Sequence, residues 1–229
     1  MQKPTLFIGN KNYSSWSLRP WLALRWAGVA FDETLIPLQG PGYGQAKIAA
    51  VLAVSPTGKV PALTIGNTTI WDSLAICEWA AEQAPANSDG TSSLWPKDGV
   101  ERAWARSTVA EMHSGFSAVR RDFSMNLRRR VTPKAVADDV SVDIGRICAL
   151  FTQLRTQFGA RGPWLFGERS IADAFYAPVV TRFRTYGVPL TPVLAHYSET
   201  VLTDADFKQW EDAALIEEFT MPATDSLYT

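Results

Sequence analysis

The pattern of apolar and polar positions divides the chain into two unlike parts. "TLFIG", Thr5 to Gly9, is an apolar run of strand length, and the apolar positions from Leu18 to Ala27 keep helical spacing until Gly28 ends them. "VAFDETLIPL", Val29 to Leu38, alternates raggedly and predicts a second strand. A Gly-rich loop and a short helix over Gln45 to Leu52 come next. "VPALTIGNTTIW", Val60 to Trp71, then predicts two strands about a Gly66-Asn67 turn. "DSLAICEWAAEQA", Asp72 to Ala84, predicts a helix with Asp72 and Ser73 as natural caps. The order β-α-β, then β-β-α, makes a small mixed sheet with helices packed on it.

"PANSDGTSSLWPKDG", Pro85 to Gly99, is rich in turn formers and lacks periodicity, so the chain divides into domains at 1–84 and 100–229 joined by a linker at 85–99. The second part has helical spacing throughout. One predicted helix starts with a Thr132 cap and Pro133 at its first position, and carries Val140, Ile144, Ile147, Phe151, Leu154 and Phe158 on one face. A similar face runs through Met112, Phe116, Val119 and Phe123. Both stripes read as core. Ser170 and Asp173, three apart before "AFYAPVVTRF", form a capping-box arrangement that belongs to folding and not to chemistry.

Composition narrows the function classes. The chain has 229 residues, 46% of them hydrophobic, enough to bury a substantial core, and a formal charge of -1 gives no general attraction to nucleic acid. The basic run "RRDFSMNLRRR", Arg120 to Arg130, reads as a solvated helix end, with a pocket for an acidic substrate as its second reading. Cys77 and Cys148 lie far apart in helical patterns, which predicts buried free thiols and a reducing, cytoplasmic setting. No apolar run suits a signal peptide or a membrane span. No cysteine precedes the first helix, which argues against dithiol exchange, and no G-x-S-x-G elbow or motif-placed histidine serves a hydrolase. In "GPGYGQ" Gln45 stands where a dinucleotide loop has its third glycine. His113 and His196 read as structural or surface residues, and Cys and His show no metal spacing, so no metal is expected.

The remaining chemistry lies in "KNYSSWSLRPWLALRWAG", Lys11 to Gly28. A helix start needs one capping hydroxyl, and Pro20, cheap only in the first turn, favours Ser17 as that cap. Ser14 and Ser15 are then spare, just where orphan N–H groups and the helix dipole favour an anion. A serine hydroxyl placed there can donate a hydrogen bond to such an anion.

These features together resemble the cytosolic glutathione transferases over nearly the whole chain, and the serine-type zeta class in particular. "SSWSLRPWLAL" is similar to the motif whose first serine, here Ser14, contacts the glutathione sulfur; "SPTGKVPAL" is similar to the loop carrying a cis-proline, here Pro61. "WDSLAICEWA" resembles the family's acidic-Ser pair, here Asp72 and Ser73, and "SIADAFYAPV" its folding box with Ser170 and Asp173. The resemblance implies a thioredoxin-like α/β N-terminal domain followed by an all-α C-terminal domain, glutathione as cosubstrate, and a homodimer. Ser14 would be an anion stabiliser. Val60, beside the cis bond, would pair its backbone with the extended tripeptide, and Lys59 would meet a carboxylate. Ser73 would bond a carboxylate and Asp72 an ammonium, both on one amino acid head group. A small, partly apolar electrophile would lie between the domains against Tyr13, Trp16, Met112, Phe116 and Arg120. The implied activity is a glutathione transferase of the detoxifying kind, with no nucleic acid or membrane partner. Two alternatives stay open: a maleylacetoacetate isomerase-like enzyme, although Trp16 stands where the zeta class has cysteine, and a non-catalytic glutathione-binding protein.

Overall fold

The computed structural model describes residues 2–39, 41–86 and 94–228, so the middle of the expected linker, residues 87–93, and Gly40 of the Gly-rich loop lie outside the described residues. Strand β1 (Thr5–Ile8) turns Leu6 and Ile8 into the core, as its period of two requires. It pairs in parallel with β2 (Asp32–Leu35) and antiparallel with β3 (Ala62–Ile65), which pairs antiparallel with β4 (Thr68–Trp71). The sheet order is β2-β1-β3-β4. The second strand is shorter than Val29 to Leu38 because β2 is an edge strand whose first three residues are exposed, so the sheet holds only the four residues opposite β1. The helix expected over Gln45 to Leu52 is one turn, α2 (Ala49–Leu52). The hairpin turns at Gly66, whose φ of 59° suits a glycine.

Helix α1 (Ser15–Trp26) connects the parallel pair, and α3 (Ser73–Gln83) follows β4. After the linker come α4 (Gly99–Ser114), α5 (Ser117–Asp122), α6 (Asp138–Phe158), α7 (Ile171–Thr185), α8 (Pro192–Thr203), α9 (Ala205–Leu215) and the short α10 (Pro222–Asp225). The chain thus has an α/β sheet unit and then only helices. Helix α1 packs against α3 within the sheet unit and against α7 and α9 of the helical part. That double engagement explains why Leu18, Trp21, Leu22, Ala23, Leu24 and Trp26 are all buried, and why one apolar core runs through both parts.

Three local expectations are corrected. The start of α1 is capped by Ser14, whose Oγ accepts from Ser17 N–H, so Ser17 lies inside the first turn and Pro20 in the helix body. Pro20 carries no N–H, so the helix does without one interior hydrogen bond there. The long helix begins at Asp138 and not at Pro133: Val131 N–H donates to the Thr185 carbonyl at 2.7 Å, which holds the preceding chain against the end of α7. Asp138 and Asp139 then supply the negative charge a helix start favours. The stripe through Met112, Phe116, Val119 and Phe123 is not one helix, because α4 ends at Ser114 and Phe116 is left-handed with φ 57°. Gly115 makes the break; a Cβ there would come within 2.7 Å of the Glu111 carbonyl.

At the start of α7, Ser170 N–H and Ser170 Oγ–H both donate to Asp173 Oδ2, and Leu165 N–H donates to Oδ1 at 3.0 Å. Asp173 is fully buried, and burial pushes its carboxyl up to about 6 against the pull of these donors. The basic run is a solvated helix end only at its start, where Arg121 stands exposed in the last turn of α5. Arg128 donates to the carbonyls of Glu217 and Phe219, and Arg129 to those of Thr224 and Leu227, so both clasp the C-terminal segment. Cys77 is buried, and Cys148 only half so.

Candidate functional site

The N-terminus of α1 opens into a cavity of about 230 Å³ between the sheet unit and the helical part. From α1 and the turn before it the walls are Tyr13, Ser15 and Trp16; from the helical part they are Arg120, Ser124, Met125, Arg182, Met221 and Thr224; Leu38 and Tyr43 complete them. Among the described residues no carboxylate lines it. The first-turn N–H groups of any helix lack intrahelical acceptors, and here the N–H of Trp16 donates to no group among the described residues.

The three serines have different surroundings. Ser14 Oγ lies 2.8 Å from Ser17 Oγ and accepts from Ser17 N–H, while Ser17 Oγ also accepts from Gly9 N–H at 3.1 Å. This set joins the end of β1 to the start of α1. Ser15 Oγ, on the cavity wall, accepts from Arg182 Nη2 at 3.0 Å. Both Ser14 and Ser15 are 6% exposed.

Arginine dominates the charge of the site. Arg182 is buried, and its Nε and Nη1 have no hydrogen-bond partner among the described residues. Burial, with the nearby Arg120, lowers it to about 9, so it remains a cation at neutral pH. Arg19, one turn along α1, is fully buried between Trp16, 4.3 Å from the ring centre, and Phe175, at 4.7 Å, and none of its guanidinium nitrogens has a partner among the described residues. Burial, and then Arg120 and Arg182, hold it well below the usual arginine value. Arg120 lies 4.7 Å from the Trp16 ring centre and donates to the carbonyls of Met112, His113 and Gly115. Isolated buried cations are costly, so such a cluster is built to receive negative charge.

On the sheet unit, the Val60–Pro61 bond is cis, and the N–H and C=O of Val60 enter no loop or turn hydrogen bond among the described residues. Lys59 is exposed beside it. Asp72, with φ 74°, caps α3 by accepting from Leu74 N–H at 2.7 Å, and its other oxygen lies 3.4 Å from His113 Nε2. His113 stands edge-on to Trp16 at 5.5 Å, so it links α4 to both α1 and α3 and is not a plain surface residue. Ser73 Oγ is buried with no partner among the described residues. An orphaned hydroxyl at a helix start fits a carboxylate acceptor arriving from outside the chain.

Of the expected acceptor contacts, Tyr13, Trp16 and Arg120 line the cavity. Met112 and Phe116 do not: both are buried in the apolar core, Met112 on the packed face of α4 and Phe116 at the turn into α5. The Tyr13 hydroxyl is already engaged, donating to Asp225 and accepting from Arg128 Nη2 and Met221 N–H. Sequence reasoning missed Arg182, Ser124, Met125, Met221 and Thr224 as wall residues; the basic run marked their neighbourhood without placing them. A second cavity, about 250 Å³, lies near the start of α4 and beside the end of α1, but Arg161 with Glu101 and Arg169 with Asp204 already neutralise one another there. Cys77, near Arg19, is fully buried and its thiol pushed well up by burial, so it is a packing residue. Among the described residues no group of three His, Cys, Asp or Glu side chains could hold a metal ion.

Comparisons with known proteins place the chain in a family. Residues 13–83 match the model of the glutathione S-transferase N-terminal domain, and residues 140–212 that of its C-terminal domain. The chain is 27% identical over 208 residues to the maleylacetoacetate isomerase of Rattus norvegicus, covering 87% of this chain and 88% of that protein. It is 28% identical over 189 residues to the protein of that name from Pseudomonas aeruginosa, with 81% and 84% covered. Among solved structures, a glutathione transferase homolog from Burkholderia with bound glutathione superposes with a TM-score of 0.70 at 22% identity, over 93% of this chain and 98% of that one. At that identity the likeness is one of fold.

Proposed function

Because the chain belongs to the glutathione S-transferase family, with its N-terminal and C-terminal domains in order, we propose that it is a glutathione transferase whose sulfur site is the start of α1. The observation that carries this reading is the carboxylate-free, arginine-flanked cavity onto which the serine-bearing helix start opens. The sulfur lies in the field of the Ser14–Ser15 pair and the α1 N-terminus, where a thiolate is held more favourably than in water. The γ-glutamyl head group meets Ser73 through its carboxylate and Asp72 through its ammonium; the cysteinyl backbone pairs with Val60 beside Pro61, and Lys59 meets the remaining carboxylate. The orphaned Ser73 hydroxyl and the free peptide groups of Val60 support these assignments.

The thiolate attacks a small, partly apolar electrophile lodged against Tyr13, Trp16 and Arg120, between the domains 1–84 and 100–229. The walls combine Trp16, Leu38, Met125 and Met221 with hydroxyls and arginine, which suits an acceptor with both an apolar body and a polar end. An isomerase reading has support in the relatives named maleylacetoacetate isomerase. A rate screen over aryl halides, hydroperoxides, aryl ethers and maleyl-type cis-alkenes separates the two: turnover that consumes glutathione supports transfer, and turnover that regenerates it supports isomerisation. Calorimetry with glutathione tests the whole reading. Saturable heat and new ultraviolet thiolate absorbance are expected; binding without ionisation would leave a mere glutathione-binding protein, and no binding refutes the proposal.

We place the enzyme in the cytoplasm as a homodimer. The free cysteines support the first, and no helix among the described residues is long and apolar enough to cross a membrane. Exposed apolar side chains at Leu52 and Trp71 support the second. Light scattering that gives a monomer at micromolar concentration would refute the dimer.

A further inference from the structure

Resting on the glutathione reading above, we propose that Ser15, and not Ser14, donates the hydrogen bond to the glutathione sulfur, and that Arg182 is the positioning residue that aims and polarises it. Four observations lead there. Ser15 is on the cavity wall, and Ser14 is not among the wall residues. Ser14 Oγ accepts from Ser17 N–H and shares a hydrogen bond with Ser17 Oγ in which either hydroxyl can donate, and Ser17 Oγ also accepts from Gly9 N–H, so Ser14 belongs to the brace between β1 and α1. Ser15 Oγ accepts from Arg182 Nη2 at 3.0 Å, and its own O–H has no acceptor among the described residues. Arg182 is buried, and among the described residues it pairs with no carboxylate and its Nε and Nη1 have no partner.

A hydroxyl with a lone pair held by a cation must point its proton elsewhere, and the same contact withdraws electron density and makes it a stronger donor. The lone pair directed at Arg182 turns the O–H away from the guanidinium and leaves it free to donate to a ligand in the cavity. The missing counter-charge of Arg182 is the thiolate itself. On ionisation the thiol proton leaves to solvent; Ser15 keeps its own, and no bond to the protein forms. The charged and titratable groups facing this point are Arg19 from α1, Arg120 from α5 with Asp143 of α6 and Tyr176 of α7 beside it, Tyr186 after α7, and, behind Arg19, Asp72 and Cys77 of the α3 region with His113 of α4. The cations are close to Arg182; of the anions, Asp72 lies behind Arg19 and Asp143 beside Arg120.

The test is the pKa of bound glutathione, read as ultraviolet thiolate absorbance against pH, in the wild type, Ser14→Ala, Ser15→Ala, Arg182→Lys and Arg182→Met. Ser15→Ala and Arg182→Met should each raise the bound thiol by about one pH unit or more, in the range an adjacent positive charge imposes. Arg182→Lys should restore part of the shift, and Ser14→Ala should move the pKa less than Ser15→Ala does. A pKa unchanged by Ser15→Ala, or raised at least as much by Ser14→Ala, overturns the assignment. Should Arg182→Met fail to fold, Arg182→Lys in the Ser15→Ala background decides: no further shift supports action through Ser15, and a shift as large as in the wild type overturns it. A wild type that never binds glutathione sinks the parent reading; one that binds and ionises it while the variants stay level sinks only this one.

Discussion

Replacing Asp173 with alanine isolates folding from chemistry. The carboxylate is fully buried and accepts from Leu165 N–H, Ser170 N–H and Ser170 Oγ–H. Removing it strands two buried backbone donors at about 1–3 kcal/mol each, partly offset by no longer burying a charge, which leaves a destabilisation of about 3 kcal/mol at pH 7. For a chain of this size that lowers the melting temperature by about 6–12 °C. Its pH dependence is more diagnostic. The folded-state value is raised to about 6, against about 3.9 for an exposed aspartate, so the folded protein holds the proton more tightly. The stability this contributes is full below about pH 4 and is lost as pH rises through about 6. Between pH 7 and pH 5 the wild type therefore gains about 1 kcal/mol that the variant cannot gain. Urea unfolding of both proteins at pH 5, 6 and 7, followed by tryptophan fluorescence, reads the gap. A gap that stays constant or narrows toward pH 5, or a variant that loses turnover with its unfolding midpoint intact, refutes the reasoning.

Two further substitutions test the site and its cover. Ser73→Ala should weaken glutathione binding about tenfold by calorimetry and leave the melting temperature unchanged, since its hydroxyl has no partner among the described residues; an unchanged Kd with lost stability would make Ser73 purely structural. Arg128→Ala removes the donors to Glu217 O, Phe219 O and the Tyr13 hydroxyl, so hydrogen exchange over residues 217–227 should speed up, by about 2 kcal/mol of local stability. Because Met221 and Thr224 line the cavity, KM for the acceptor should rise as well. Exchange at the wild-type rate would show that Arg128 does not hold this segment.

The sequence by itself determined what depends on neighbours a few positions apart: the order of strands and helices, the hairpin at Gly66, the Asp72 cap, the Ser170–Asp173 box and the stripe of α6. Hydrophobic period and capping act over one or two turns, so a linear reading reaches them. It erred where a distant contact overrode the local preference. Thr132 and Pro133 form a sound helix start, but the Thr185 carbonyl takes the Val131 N–H; Ser17 is a sound cap, but Gly9 and Ser14 claim its hydroxyl. The site itself was only half legible. Two spare serines at a helix start announced an anion while the run of arginines reads first as a solvated helix end, but which serine faces the cavity was decided by Arg182, 167 positions away, and the clasp of Arg128 by a tail about 90 positions on. Only packing α1 between α3 on one side and α7 and α9 on the other brings those groups together, and the period of a helix carries no record of its distant partners.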